Sequence, residues 1–365
     1  MGKKLFDYVI GNPPYQDDTV GDNDNYAPQV YNKFLDSAYQ VAQKVEMVHP
    51  ARFLFNAGST PREWNQRMLN DPHFKVLKYV ADSQEVFPNI QLTGGVAISY
   101  HDSENDYGAI RVFTQFDELN SILNKVANSA AFVSMESVVI TRTIYRLTDK
   151  LHDEHPEARY KENDLGENIG CLSKGHDYDM SSNIFDCIPQ VFFTDDPNDG
   201  HMYIAMLGRK DGERAYMYIR KDYVDVDRAK NFEKYKVVLA RADGAAGTIG
   251  KPIPARIIGT PIIEKPRVGT TESFLSIGCC DTENEVNNLL KYVKSKFMRT
   301  LVGVLKITQD INPGKWKYVP LQDFTQSSDI DWLKSIHEID LQLYRKYGLD
   351  EKEIEFIESH VKEMA

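Results

Sequence analysis

The sequence predicts an α/β class: a partial sheet at the start, then an α+β region and a C-terminal helical cap. Three observations predict it. Leu5–Ile10 is a short apolar, β-prone run typical of a buried strand, and Ala27–Val45 carries apolar residues at helical spacing. Between residues 103 and 325, glycines and prolines separate many short β-prone runs around one long predicted helix, Glu283–Lys306.

The elements of the first region follow in a βαβ-like order. After the first helix, the apolar segment Glu46–His49 predicts the next strand, which Pro50 ends. Further along, the pattern predicts a helix and two strands: Arg62–Leu69, Lys75–Ala81 and Gly95–Tyr100. In the second region the short β-prone runs are Ala109–Phe113, Tyr203–Leu207, Ala215–Ile219, Lys236–Leu239, Ala255–Ile258 and Phe274–Ile277. Residues 329–364 predict two amphipathic helices that break at Gly348.

The first strand leads directly into Asn12-Pro13-Pro14-Tyr15. Ligands of open α/β sheets bind beyond the carboxyl ends of strands, so this turn is a candidate site. Two prolines fix two φ angles and remove two N–H donors, while their carbonyl groups remain free to accept. Asn12 adds an amide and Tyr15 adds a flat ring. Such a cluster suits a planar ligand with an amino group, although the same four residues also occur in ordinary proline turns.

With the preceding strand, this motif resembles the catalytic motif of the N6-adenine DNA methyltransferases with gamma-type motif order. The resemblance implies that Asn12, Pro13, Pro14 and Tyr15 are catalytic, and that Asn12 also meets the cofactor, S-adenosylmethionine. The Asn12 oxygen and the Pro13 carbonyl would accept hydrogen bonds from the amino group of a flipped adenine, on which Tyr15 would stack. Two acceptors placed for a pyramidal amine favour the transition state over the flat ground state.

The resemblance covers residues 4–102 and corresponds to the second half of that family's Rossmann-like catalytic domain. Val86-Phe87-Pro88 resembles a later motif, so Phe87 is the candidate for stacking on the other face of the base. The alternative is that Phe87 only packs in the core.

The family's cofactor loop precedes the catalytic motif, but only eleven residues precede Asn12. Gly244–Gly250 is Gly-rich, yet prolines follow it where a helix would be needed. We therefore expect a catalytic domain without most of its cofactor half. We also expect the Leu5–Ile10 strand to have an open edge, to be completed by an N-terminal segment, a second chain or a homodimer.

The net charge of −11 is unevenly distributed. Residues 203–256 hold twelve basic and seven acidic side chains, and residues 289–317 hold seven basic and one acidic. Local field governs contact with phosphates, so double-stranded DNA is the expected partner. The alternative is charge scattered over solvated faces. Candidate DNA-binding residues are Arg209, Lys210, Arg241, Lys306, Gln309, Lys315 and Lys317.

The region after the catalytic motif resembles a target-recognition domain, and Lys306–Phe324 resembles Type IIG and related restriction–modification proteins. The predicted domains are a partial catalytic domain at 1–105, a recognition domain at 106–326 and C-terminal helices at 327–365. Together these features imply a site-specific DNA adenine methyltransferase. The alternatives are an inactive DNA-binding specificity module, either a truncated product or one half of a split enzyme, and methylation of RNA or protein.

Cysteine and hydropathy patterns predict the cellular compartment of the protein. Its four cysteines form no Cys-x-x-Cys pair and indicate reduced thiols rather than disulfides or a zinc framework. No apolar run of about eighteen residues predicts a membrane span. We expect a cytoplasmic protein without a metal site.

Overall fold

The structure, a computed structural model, describes residues 4–16, 28–56, 59–88, 92, 94–170, 172–306 and 309–364. It divides into two units, Met1–Asn128 and Ser129–Ala365. None of the helices in the described part of the chain combines the length and apolar character needed to cross a membrane.

A four-stranded mixed sheet of order β1-β2-β4-β3 organises the first unit. Strands β1 and β2 are parallel, and β4 runs antiparallel to both of its neighbours. The elements are β1 (Phe6–Gly11), α1 (Tyr31–Val41), β2 (Ala42–Pro50), α2 (Arg62–Asn70), β3 (Phe74–Val80), β4 (Val96–Asp102) and α3 (Asp117–Ala127). The predicted βαβ beginning is therefore present.

The boundary between α1 and β2 differs from the prediction. Ala42–Val45 was expected to end the helix but begins the strand, because these residues pair with both β1 and β4. In β2, Val45, Met47 and His49 are buried and alternate with partly exposed residues, which is the period of a strand.

The core of this unit joins one face of the sheet to α1 and α2. Its largest buried side chains include Tyr31, Leu35, Phe53, Trp64, Met68 and Phe74. Among the described residues β1 pairs only with β2 and forms an edge of the sheet. Large apolar side chains on and beside β1 are exposed: Leu5 76%, Phe6 55%, Tyr8 45% and Ile10 74%.

The second unit contains three small sheets, of orders β11-β10-β13-β5, β12-β7-β8 and β6-β9, within the residues described. Its strands are β5 (Val139–Ile140), β6 (Arg146–Leu147), β7 (Tyr203–Lys210), β8 (Glu213–Arg220), β9 (Val224–Asp225), β10 (Tyr235–Ala240), β11 (Ile262–Glu264), β12 (Val268–Thr270) and β13 (Phe274–Cys280). Its helices are α4 (Asp149–Glu154), α5 (Ile184–Cys187), α6 (Glu283–Lys294), α7 (Lys296–Leu305), α8 (Ile336–Lys346) and α9 (Glu351–His360).

Two of the predicted short strands are wrong. Within Ala109–Phe113, Arg111 has φ 59°, and within Ala255–Ile258, Ile257 has φ 70°. A positive φ takes the backbone out of the extended region, so neither run can form a continuous ladder. Ala255 instead makes a single parallel bridge with Val361.

The predicted helix Glu283–Lys306 is two helices, α6 and α7. Ser295 between them is extended (φ −62°, ψ 146°), and its hydroxyl group caps α7 by accepting from the Met298 N–H. Asp340 of α8 accepts from the first two backbone amides of α7 at 3.0 and 2.9 Å. One side chain from the C-terminal helices therefore completes the N-terminus of α7.

The cysteines depart in part from the prediction. Cys279 and Cys280 are free thiols, but Cys187 is disulfide-bonded, which contradicts the expectation for that residue. Cys171 lies outside the described residues.

Candidate functional site

The Asn12–Tyr15 turn lies at the carboxyl end of β1. Gly11 pairs with Met47, so the turn runs beside the carboxyl end of the parallel strand β2. Asn12 and Pro14 are exposed, Pro13 is buried and Tyr15 is half-buried. The Tyr15 carbonyl accepts from the Val30 N–H at 3.1 Å, which ties the turn to the start of α1. The exposed Asn12 side chain is therefore attached to a backbone that the pairing of β1 with β2 fixes on one side and the Tyr15–Val30 hydrogen bond fixes on the other.

Phe87 lies beside Tyr15. Their ring centroids are 6.3 Å apart with an interplanar angle of 67°, which is an edge-to-face contact. The phenylalanine follows a short 3-10 helix, and its N–H donates to the Ser83 carbonyl at 2.8 Å. A base between parallel rings needs about 7 Å from ring to ring. The two predicted stacking residues thus meet, but one ring must turn before a base can enter between them.

The Tyr15 hydroxyl group is buried at the inner side of the turn. Burial raises the pKa of Tyr15, and the neighbouring Asn12 side chain acts in the opposite direction. No described side chain makes a hydrogen bond of ordinary geometry with this oxygen. Tyr15 is therefore a neutral, polar-tipped aromatic side chain at neutral pH.

Beneath the turn is a buried layer that sequence reasoning missed. His49 is fully buried, with Nε2 2.7 Å from Ser99 Oγ and Nδ1 3.1 Å from the Pro50 carbonyl oxygen. Tyr31 stacks on it with ring centroids 5.8 Å apart and an interplanar angle of 4°. Burial lowers the pKa of His49 to about 4 and raises that of Tyr31 to about 12. The signal was present, because His49 occupies the inward-facing register of Val45 and Met47.

Some predicted DNA-binding residues of the second unit are close together. The Ile311 N–H donates to the Arg241 carbonyl at 2.7 Å, which brings the segment containing Gln309 and Asp310 beside the end of β10. Arg241 donates to Asp310 at 2.7 Å. A cavity of about 200 Å³ opens there, lined by Thr141, Arg142, Arg241, Leu275, Asp310, Ile311, Asn312 and Pro313. Gln309 is exposed beside it.

The expectation for Lys306 is wrong. Its side chain is 1% exposed, and Nζ donates to the Gly247 carbonyl at 2.6 Å, so its charge cannot reach phosphate at the surface. Burial also lowers the pKa of this amine. By contrast, Lys317 is exposed and Lys315 is partly exposed, while Arg209 and Lys210 lie elsewhere, at the tip of the β7–β8 hairpin.

The Gly244–Gly250 segment does not have the form of a cofactor loop. It follows β10 but leads into an extended, proline-containing tip rather than into a helix. The Gly247 carbonyl is occupied by Lys306, and a Cβ atom at Gly247 would meet the Lys251 carbonyl oxygen at 2.5 Å. The glycine at position 247 is thus required for the close packing of this segment against Lys251.

Two comparisons of the sequence agree with the motif, one with a family model and one with a curated protein. The family model of the Eco57I restriction-modification methylases matches residues 1–87. An "uncharacterized adenine-specific methylase" of Mycoplasma pneumoniae is 28% identical over 121 residues, which is 32% of this chain and 28% of that protein. The type IIG restriction endonuclease BpuSI aligns with a TM-score of 0.31 at 10% identity, over 90% of this chain and 48% of its own. The chain thus spans less than half of either relative. The resemblance to restriction–modification adenine methylases is confirmed.

Proposed function

We propose that this chain carries the catalytic motif and the recognition portion of a site-specific, base-flipping DNA adenine-N6 methyltransferase of a restriction–modification system. One observation carries the proposal. Within the segment that matches the methylase family model, an exposed Asn12 stands at the carboxyl end of a parallel strand, with Tyr15 and Phe87 beside it. A polar acceptor next to two aromatic rings suits a flipped nucleobase with an amino group.

Each residue of the motif has a distinct part in the proposed reaction. The Asn12 side-chain oxygen and the Pro13 carbonyl accept hydrogen bonds from the adenine amine, whose lone pair is otherwise delocalised into the ring. Two acceptors in fixed positions favour the pyramidal amine of the transition state. Pro14 fixes the backbone that holds them. Tyr15 and Phe87 bind the faces of the base after their edge-to-face contact opens.

S-adenosylmethionine is the proposed methyl donor, and it supplies an electrophilic methyl group for in-line attack by the amine. Asn12 is the described residue that would meet its reacting end. The Gly244–Gly250 segment does not fit the remainder of the cofactor, because its backbone groups are engaged internally. We therefore assign no further cofactor contact to this chain.

Duplex DNA is the proposed substrate. Because Lys306 is buried, the proposed DNA contacts are the other candidates: Arg209, Lys210, Arg241, Gln309, Lys315 and Lys317. Phosphate contacts give affinity and orientation, and side chains that reach base edges give sequence preference.

A second polypeptide segment is the proposed partner at the open edge of β1. An edge strand with exposed Phe6, Tyr8 and Ile10 offers both unpaired backbone groups and apolar surface. A segment from elsewhere, a separate chain or a second copy would cover it. The same observation favours one alternative function, a DNA-specificity module that is inactive until a partner completes its sheet.

Three measurements separate these functions: methyl incorporation into a mixed-sequence plasmid, duplex binding, and calorimetric titration with S-adenosylmethionine. Incorporation, or cofactor binding with a dissociation constant near or below about 10 µM, supports an enzyme complete in this chain. Duplex binding without either supports the module, and absence of duplex binding refutes both functions.

In any active or complemented form, Asn12→Ala should abolish methyl transfer and preserve duplex affinity. Asn284→Ala, at an exposed position in α6, is the matched control and should retain both properties. Equal activity of Asn12→Ala and the wild type would contradict the assignment of the motif.

A further inference from the structure

The β7–β8 hairpin is a regular two-stranded ribbon with a charged tip. Its strands pair without a bulge from Tyr203↔Arg220 to Lys210↔Glu213. The connecting residues Asp211 and Gly212 have φ values of 51° and 82°. Positive φ at both positions belongs to the tight two-residue turn whose twist matches that of the strands. The tip is therefore defined by hydrogen bonds along its whole length.

Two arginines face each other one pair below the turn. Arg209 pairs with Arg214, and both side chains are exposed. The pair that closes a two-residue hairpin exchanges hydrogen bonds, so the next pair is of the non-hydrogen-bonded kind, with Cβ atoms about 4.5–5.5 Å apart. Like charges directly opposite each other destabilise a sheet. This arrangement is unfavourable for folding and calls for another explanation.

No acidic side chain of the described residues forms an ion pair with either arginine. Arg209 Nη1 donates to the Gly212 carbonyl at 2.8 Å, and the Arg214 guanidinium lies 5.4 Å from the centre of the Phe274 ring. Burial raises the pKa of Glu264, while the Tyr216 hydroxyl group, which donates a hydrogen bond to it, and the more distant charge of Arg214 act in the opposite direction. Both guanidinium groups are thus oriented by described neighbours that form no ion pair with them.

We infer that the tip of this hairpin enters the major groove of duplex DNA, with Arg209 and Arg214 bound to guanine edges. This inference rests on the proposed function. A two-stranded ribbon fits the major groove, and arginine donates two hydrogen bonds to O6 and N7 of guanine. Between the two arginines the chain carries Lys210, Asp211 and Glu213. The two acids disfavour a clamp on phosphates alone, whereas carboxylates can accept from the cytosine amino group.

The test compares ordinary duplex DNA of mixed sequence with the same duplex in which every guanine is replaced by 7-deazaguanine. That replacement removes the N7 acceptor from the major groove and leaves phosphates and minor groove unchanged. The wild type should bind the 7-deaza duplex about tenfold more weakly or worse, since one bidentate contact discriminates by that order. Arg214→Gln should bind ordinary DNA more weakly and lose most of the preference for N7. Arg228→Gln, at an exposed position in the same unit, should keep it.

Folding provides an independent readout. Arg209→Glu places an acid opposite Arg214, so it should weaken DNA binding while the midpoint of urea unfolding stays the same or rises. A fall in that midpoint together with unchanged DNA binding would identify the pair as structural and overturn the inference. Equal binding of both duplexes by the wild type would also overturn it and leave phosphate contact as the role of the tip. Absence of any duplex binding would remove the proposed function itself.

Discussion

His49 gives the first unit a sensitivity to acid that can be calculated from its surroundings. At neutral pH the ring is uncharged, so Nδ1–H donates to the Pro50 carbonyl and Nε2 accepts from the Ser99 hydroxyl. A proton added to Nε2 would reverse the second bond, so that Nε2–H donates to the Ser99 oxygen, and would place a charge in a fully buried site. Burial accordingly lowers the pKa of His49 from 6.5 to about 4.

The sign and size of the effect follow from linkage. Below pH 6.5 the histidine binds a proton in the unfolded chain but stays neutral in the folded protein. Its contribution to the free energy of unfolding is therefore fully present above pH 6.5 and declines as the pH falls towards 4. Each pKa unit corresponds to about 1.4 kcal/mol. Between pH 7 and pH 5 the free energy of unfolding should therefore fall by about 2 kcal/mol through this residue alone. His49→Gln removes the titrating group and should remove that loss.

The assay is urea unfolding of wild type and variants at pH 7 and pH 5. Trp64 reports on the relevant core, since its ring lies 4.9 Å from that of Phe53. The quantity of interest is the difference between proteins, because Asp340 in the second unit titrates with the opposite sign. Burial raises its pKa to about 6, so its ionisation lowers stability as the pH rises.

Ser99→Ala is the matched control. It removes the partner of Nε2 but keeps the buried ring, so it should lower stability at both pH values and retain the decline on acidification. If His49→Gln and the wild type lose equal free energy between the two pH values, the histidine does not resist protonation and the reasoning is refuted.

Two further predictions concern the second unit. Replacing Lys315 and Lys317 with Glu should weaken duplex binding and reduce the slope of log affinity against log salt by about 2. As a control, Lys306→Met should lower stability and leave that slope unchanged. Both slopes can be measured by filter binding over a series of salt concentrations. Asp340→Ala should lower the free energy of unfolding by about 1–3 kcal/mol because two backbone amides lose their acceptor. Asp340→Asn, which keeps one acceptor, should cost less in the same circular-dichroism unfolding experiment.

Local patterns sufficed for the start of the fold and for the position of the motif. The apolar run before Gly11 and the helical spacing after it specify a strand and a crossover, and these bring Asn12 to the carboxyl end of β1. The contact between Tyr15 and Phe87 could be expected only from the resemblance, since no local rule links residues so far apart in sequence. The alternation of Val45 and Met47 placed His49 on the buried face, but its pairing with Ser99, 50 residues away, has no local signal.

The errors also have physical reasons. The apolar stripe of α6 continues in register through Ser295 into α7, so periodicity concealed a break that the cap at Ser295 marks. Counting charges over residues 289–317 could not separate surface lysines from Lys306, whose burial depends on the distant Gly247 carbonyl. The break at Ser295 and the burial of Lys306 both depend on tertiary contacts, which override local preference.

The capping of α7 by Asp340 has a consequence for the order in which the chain matures during synthesis. The helix is synthesised before the residue that completes its N-terminus, because Asp340 follows Lys296 by 44 residues in the chain. Until α8 has been synthesised and has packed against α7, Ser295 is the one described side chain that accepts a hydrogen bond from a backbone N–H in the first turn of α7. The apolar face of α7 then lacks part of its packing partner. A stop codon before Ser335 should therefore leave the sheets of the second unit translated but α7 prone to fray, and such products should be early targets of cellular proteases.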